Sequence, residues 1–424
     1  TDNSSAGSSA GSPIALPRLI LNLADTGGNG WTDLLSALQG KGRYVNLNLS
    51  ACTMDGTEFD PGTANTGEGR IVSLILPATA AEVKAGTYGN PTFRYFTSLR
   101  NIGGAGIITI GSEAFYDCIG LASVNLPAAT GIGGYAFSGC TGLTSVSLPV
   151  ATNIGSQAFS GCTGLTSVDL PAAAGIGDYA FRDCTGLASV SLPASLTSLS
   201  GGAFGGCTSL TDITVDAGNQ NFRHSDDRKM ILNKAGTTLI SYPSASGAVT
   251  LDSRITGIGD YAFARCTGLT SVNLPAATGI GSNAFSGCAG LISVSLPAAA
   301  GIGNYAFYGC YGLSSVSLPA ATSIGEKAFG QTSYTGSSPL TVTLGSAVPT
   351  LGTGMLSGYS GTRNVTVEVP SSAPAWSAII GSSTGNDAGD NWRNGFRGGG
   401  WDGSNMTDGS KVNGDISLTV TAIP

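Results

Sequence analysis

"IGGYAFSGCTGLTSVSLPVATN" occupies Ile132–Asn153, and the chain repeats it with small changes from Ile154 onward. The Phe of its Ala-Phe pair recurs at Phe115, Phe137, Phe159, Phe181 and Phe204, then at Phe263, Phe285, Phe307 and Phe329. The steps are 22 residues, apart from one of 23 and one gap of 59. Such a period is too short for two packed helices and suits one coil of a solenoid. Within the unit, Ser145-Val146-Ser147-Leu148 alternates polar and apolar residues, the period of a strand. Pro149 follows at once and, lacking an N–H, ends the ladder there. The spacing therefore predicts a β-rich solenoid with one short parallel strand per coil of about 22 residues. Ile132, Phe137, Leu143, Val146 and Leu148 are the expected interior, and Gly133 and Gly142 mark bends or points of close approach.

Following the strand slot outward finds coils that lack the Ala-Phe pair. Tyr44-x-x-Leu47-x-Leu49, Ile71-x-x-Leu74-x-Leu76 and Leu99-x-x-Ile102-x-Gly104 all fit it. In the third, Phe93 holds the Phe slot and Phe96 the Cys slot. Across the long gap, slots ending at Leu192, Val215, Leu251 and Leu274 are separated by 23, 36 and 23 residues. One coil is thus enlarged and has lost its Ala-Phe pair and Cys. Its "KMILNKAGTTLISYP" reads as a hairpin around Lys234-Ala235-Gly236. Past Leu318, "LTVTLG" and "NVTVEVP" continue the series.

The organisation expected from these spacings has six parts. Residues 1–13 form a Ser/Gly tether, and 14–107 an N-terminal cap with degenerate repeats. Residues 108–215 are regular coils, 216–254 the enlarged coil with its β-hairpin insertion, and 255–332 regular coils again. Degenerate coils and a C-terminal β cap fill 333–424. Caps are expected at both ends because open strand edges invite association.

The order A-F-x-x-C-x-x-L-x-x-V-x-L-P over Ala136–Pro149 resembles the BspA-like bacterial leucine-rich repeat proteins. The likeness is strongest over residues 93–332, and the segment "NQNFRHSDDRKMILNKAGTTLISYP" looks like an insertion seen in that family. The resemblance implies a leucine-rich repeat solenoid at the cell surface or secreted, used for adhesion or protein recognition without catalysis. One departure is visible. The common leucine-rich repeat carries Asn or Cys shortly after the strand Leu, whereas here small residues such as Ala129 and Thr152 stand there and Cys precedes the strand.

Composition narrows the function. Among 424 residues there are 65 Gly, with 41% hydrophobic and 11% charged, which is not the balance of a disordered chain. A net charge of −7 leaves no basic surface for a phosphate backbone, so nucleic acid is not an expected partner. The chain begins "TDNSSAGSSAGSP" rather than with Met, so the expectation is a processed form, with any signal peptide or lipid anchor upstream. Membrane attachment is expected only through such an anchor, and the expected state is a monomer.

Eight of nine cysteines share one slot: Cys118, Cys140, Cys162, Cys184, Cys207, Cys266, Cys288 and Cys310. Stacking would bring them within disulfide range, but with parallel Cα–Cβ vectors, and Phe96 in the same slot marks it as simply apolar. A ladder of free buried thiols is expected. One His in the chain and one Cys per coil give no metal cluster, and no cofactor is expected. His224, beside Asp226 and Asp227, reads as part of a solvated tip rather than a catalytic group, and no catalytic residue is named.

Three surfaces remain. Outward strand positions such as Ser145/Ser147 and Ser293/Ser295 offer a polar track for a glycan, or simply a hydrated face. Two residues before each Phe, a variable column reads Glu113, Tyr135, Gln157, Tyr179, Gly202, Tyr261, Asn283, Tyr305, Lys327. Tyr135, Tyr179, Tyr261 and Tyr305, with neighbouring Tyr308, Arg182 and Arg265, form the candidate partner-binding edge, since tyrosines on a rigid scaffold give contact area at low entropic cost. The alternative is that the rings only cover the coil edge. Finally, "DNWRNGFRGGGWDGSNMTDGS" clusters Trp392, Arg393, Arg397 and Trp401, read first as the core of a cap. The expected partner is an extracellular protein, with a glycan as the alternative and a purely architectural role third.

Overall fold

The structure is a computed structural model describing residues 9–10, 13–15, 30–54, 56–62, 67–87, 89–330, 339–351, 363–372 and 416–423. It divides into two compact units, Thr1–Asn221 and Phe222–Pro424. Each is a parallel β-solenoid.

In the first unit, strands Ile14–Ala15, Val45–Asn48, Ile71–Ile75, Asn101–Gly103 and Ser123–Asn125 pair in parallel as one sheet. The strand slot continues through Ser145–Ser147 paired with Ser167–Asp169, and Ser189–Leu192 paired with Asp212–Val215. The expected register holds: Val146 lies opposite Val168, one repeat on. A second ladder adds to the one strand per coil read from sequence. Two-residue strands Glu58–Phe59, Glu82–Val83, Thr109–Ile110, Gly131–Ile132, Asn153–Ile154, Gly175–Ile176 and Ser198–Leu199 pair in parallel as another sheet. Two residues are too few to show an alternating pattern, so periodicity does not reveal them. The helix Gly30–Lys41 buries Leu35 and Leu38. Its Trp31 meets Phe59 edge-on at 6.0 Å, and Trp31 Nε1 donates to the Pro61 carbonyl at 3.0 Å.

In the second unit, one ladder runs through Gly247–Thr250, Leu269–Asn273, Ser293–Ser295, Ser315–Leu318, Leu340–Leu344, Arg363–Pro370 and Ile416–Ile423. The other begins in the enlarged coil. Phe222–His224, Ile231–Asn233 and Thr238–Ser241 form an antiparallel meander, and its last strand pairs in parallel with Gly257–Ile258. The hairpin expected around Lys234-Ala235-Gly236 is therefore present, with one strand more than the sequence suggested, and Gly236 turns it at φ +74°. The slots left without Ala-Phe and Cys are filled rather than empty. Tyr242 N donates to the Ala262 carbonyl at 2.7 Å, as Phe263 N does to Ala284. Its ring lies 5.8 Å from that of Phe263, and Ala245 is buried three residues later, in the Cys slot.

The core is a column of rings. Phe115, Phe137, Phe159 and Phe181 are fully buried and nearly coplanar in orientation, with centroid spacings of 5.1, 5.2 and 5.2 Å, an offset stack. Phe263, Phe285, Phe307 and Phe329 repeat the arrangement at 4.7, 5.0 and 5.2 Å. Coil spacing is set where backbones meet: a Cβ on Gly133 would lie 2.5 Å from Ser112 N, so close approach rather than a left-handed bend is why Gly stands there.

The tether at residues 1–13 falls almost wholly outside the described residues. The same holds for much of 333–424, including Trp392, Arg393, Arg397 and Trp401.

Candidate functional site

The eight cysteines of the repeat slot are buried and free, as expected, and so is Cys52 outside it. The structure adds what the thiol does. Cys140 Sγ donates to the Phe115 carbonyl at 3.1 Å, and Cys162, Cys184 and Cys207 donate likewise to Phe137, Phe159 and Phe181 at 3.1, 3.1 and 3.0 Å. Cys288 and Cys310 repeat the contact in the second unit. Each thiol thus ties one coil to the preceding turn while packing as a small apolar group. Burial pushes the Cys118 thiol up to about 12 and raises those of Cys140, Cys162 and Cys207 well above the usual range. Thiolate chemistry at neutral pH has no place at these four positions.

The variable column sits on a turn with an unusual backbone. Glu113, Tyr135, Gln157, Tyr179, Tyr261, Asn283, Tyr305 and Lys327 all have positive φ, between 47° and 60°. Such left-handed conformations cost a non-glycine residue roughly 1–2 kcal/mol. Six of them, Glu113, Tyr135, Gln157, Tyr261, Asn283 and Tyr305, are held by the next coil: Tyr135 N donates to Ser156 O at 3.0 Å, Tyr261 N to Ser282 O at 3.0 Å and Tyr305 N to Glu326 O at 2.8 Å. In the first unit, Tyr135 and Tyr179 flank Gln157, so about two rungs, near 10 Å, separate them. Gln157 Nε2 donates to the Tyr135 hydroxyl, and Tyr116 lies 6.4 Å from the Tyr135 ring. Arg182 rests over Tyr179 at 5.4 Å and pairs with Asp183 at 3.2 Å. In the second unit, Tyr305 meets Tyr308 edge-on at 5.5 Å, donates to Glu326 Oε1 at 3.3 Å and lies 5.5 Å beneath the Lys327 ammonium. Tyr261 and Arg265 are half-buried on the equivalent turn. The structure therefore brings Tyr135, Tyr179 and Arg182 to one edge of the first unit, and Tyr261, Arg265, Tyr305 and Tyr308 to the corresponding edge of the second. Tyr135 is 37% exposed, while Tyr179, Tyr261 and Tyr305 are half-buried.

The strand face is hydroxylated and, in the second unit, lines a shallow concavity of about 370 Å³. In the second unit Ser271, Ser293, Ser315 and Thr341 lie in one row, and Asn273, Ser295, Ser317 and Thr343 in another. The side chains lining that concavity are short, with no aromatic ring among them.

A concave site lies in the insertion, where the sequence suggested only a solvated tip. Arg223, Asp226 and Asp227 line a cavity of about 470 Å³ together with Asp252 and Arg254, which follow about 30 residues later. His224 belongs to the strand before the loop and is half-buried. Short sequence segments carry no signal for this meeting, because the two sets of residues come together only when the meander folds against the next coil. Among the described residues no group of His, Cys, Asp and Glu is arranged to hold a metal ion.

With the coil geometry in place, comparison with protein families is decisive: a profile described as the BspA type leucine-rich repeat region, in 6 copies, matches residues 85–225 and 243–362. The chain belongs to the BspA-type leucine-rich repeat family. Its matched span takes in the Phe and Cys ladders of both units and omits residues 226–242, most of the meander. A search of curated proteins finds no match. Among solved structures, a leucine-rich cell surface protein from Faecalibacterium prausnitzii is 24% identical, over 69% of this chain and 80% of that one, with a TM-score of 0.47. A leucine-rich repeat protein from Bacteroides ovatus is 22% identical over 74% and 83%, with a TM-score of 0.44. The pneumococcal vaccine antigen PcpA is 16% identical over 78% and 80%, with a TM-score of 0.43.

Proposed function

We propose that this protein is a non-catalytic recognition or adhesion protein, displayed at the cell surface or secreted, that holds an extracellular protein partner along its tyrosine-bearing edge. The observation that carries the reading is the left-handed column. Four of its residues are tyrosines kept at a backbone conformation that Gly or Asn would adopt at lower cost. Within each unit, rings on this fixed turn beside an arginine, Arg182 in the first and Arg265 in the second, give amphipathic contact area at low entropic cost. Membership of a repeat family built as a scaffold supports recognition over catalysis. Attachment to the cell would come through a lipid or other anchor upstream of Thr1, and the acting form is a monomer.

The test compares the full chain with a variant carrying Tyr135→Ser, Tyr179→Ser, Tyr261→Ser and Tyr305→Ser on a panel of purified extracellular-matrix proteins, with a glycan array alongside. The expected result is binding to a matrix protein that weakens at least tenfold in the variant. Undiminished binding by a folded variant, or binding to glycans alone, would refute the edge as the partner surface.

A further inference from the structure

The cavity in the insertion lies wholly in the second unit, no tyrosine of the column lines it, and part of its wall is held in place. Arg254 is fixed to Asp252 by two parallel contacts, Nε to Oδ1 at 3.0 Å and Nη2 to Oδ2 at 3.2 Å. The Arg254 backbone N–H also donates to Asp252 Oδ1 at 2.8 Å. Across the opening, Arg223 lies 3.8 Å from Asp226 and packs beside Gly236 in the hairpin turn. The loop between them is ordered by Ser225, whose Oγ accepts from Lys229 N at 3.2 Å and Met230 N at 3.0 Å and donates to Asp227. The floor is apolar, formed by Met230, Leu232 and Ile255, with Leu232 and Ile255 buried.

From this arrangement we propose that the cavity is a carbohydrate subsite, taking a neutral saccharide. Three features select that class. Two guanidiniums and three carboxylates share the lining, with Arg223 beside Asp226 and Arg254 paired with Asp252, so any singly charged group would meet like charge as well as opposite. A neutral polyol meets no such conflict: its hydroxyls donate to the carboxylate oxygens of Asp226 and Asp252 and accept from the N–H groups of Arg223 and Arg254. The Met230–Leu232–Ile255 floor matches the C–H face of a pyranose ring. The volume, about 470 Å³, falls within the roughly 300–1,000 Å³ typical of small-molecule sites. A site on the insertion is independent of the protein-binding edge, so the two readings stand or fall separately.

Saturation-transfer NMR and calorimetry on the full chain test it, using methyl glycosides of glucose, galactose, mannose and N-acetylglucosamine and their neutral disaccharides. N-acetyl-lysine amide and N-acetyl-arginine amide serve as charged probes. The expected result is millimolar or tighter binding of at least one saccharide, little changed by salt. Asp226→Asn and Arg254→Ala should each weaken it about tenfold or more, while Tyr135→Ser leaves it unchanged. The Asp226 and Arg254 side chains are 99% and 81% exposed, so neither substitution disturbs the fold, and circular dichroism checks this. Absence of saturation transfer from every saccharide, indifference to both substitutions, or binding of the charged probes alone would overturn the proposal.

Discussion

Gly155→Ala gives the sharpest test of how the coils are spaced. An added Cβ at Gly155 would lie 2.7 Å from Gly133 C and Gly134 N and 2.8 Å from Ile132 O, where ordinary contact begins near 3.4 Å. All three atoms are backbone of the preceding coil, so no side chain can swing away. Relieving the overlap means parting two coils by roughly 0.7 Å, the gap between 2.7 and 3.4 Å. That would stretch the Gly155 N–H to Ile132 O bond from 2.9 Å to beyond useful length. Losing a buried hydrogen bond costs about 1–3 kcal/mol and overpacking about 1–3 kcal/mol more, so the expected destabilisation is about 2–6 kcal/mol. The control is Gly131→Ala in the same ladder, where the nearest atom is Thr109 Cγ2 at 3.9 Å. There the lost freedom of the unfolded chain should give up to about 0.4–1 kcal/mol of stabilisation. Urea unfolding followed by circular dichroism should show the Gly155→Ala midpoint lowered by about 1 M or more and the Gly131→Ala midpoint unchanged or raised. Equal midpoints for the two variants would refute the claim that backbone contact between coils fixes the glycine column.

The thiol ladder predicts an alkaline limit. Below pH 9 the folded and unfolded thiols are both protonated and the contribution is constant. Above it the unfolded Cys118 releases its proton while the folded one holds it up to about 12, so stability falls as pH rises through that window. The slope for each such buried thiol approaches about 1.4 kcal/mol per pH unit, which unfolding midpoints at pH 8 and pH 10.5 would reveal. A maleimide should modify none of these thiols in the native protein at pH 7.5 and all nine once it is denatured. In the ring stack, Phe159→Ala should cost about 3–5 kcal/mol by the same unfolding assay, because the rings of Phe137 and Phe181 both lose a partner. Tyr242→Phe, in contrast, should change stability by less than about 1.5 kcal/mol, since the ring keeps its place against Phe263.

The repeat period, the strand slot of Val146 and Leu148, the buried Phe and Cys ladders and the hairpin at Gly236 were all legible in the sequence. Identical coils impose identical environments, so each column of aligned residues reports directly on one position in space. Phe96 in the Cys slot was readable for the same reason. The slots of Tyr242 and Ala245 were not legible because the insertion shifts their spacing; the hydrogen bond from Tyr242 to Ala262, the ring contact with Phe263 and the burial of Ala245 reveal them. The short ladder at Gly131, Asn153 and Gly175 needed coordinates too, since two-residue strands leave no alternation to read.

Local pattern determined the coil, and through it the solenoid, because stacking one repeat on the next satisfies the same apolar and hydrogen-bonding groups each time. Tertiary structure alone decided two things. One was the left-handed backbone beneath Tyr135 and its counterparts, which hydrogen bonds to the following coil hold in place at six positions. The other was the cavity, where Arg223 and Asp226 face Asp252 and Arg254. Those two sets of residues are remote in sequence, so only the folding of the meander against the next coil could bring their charges together.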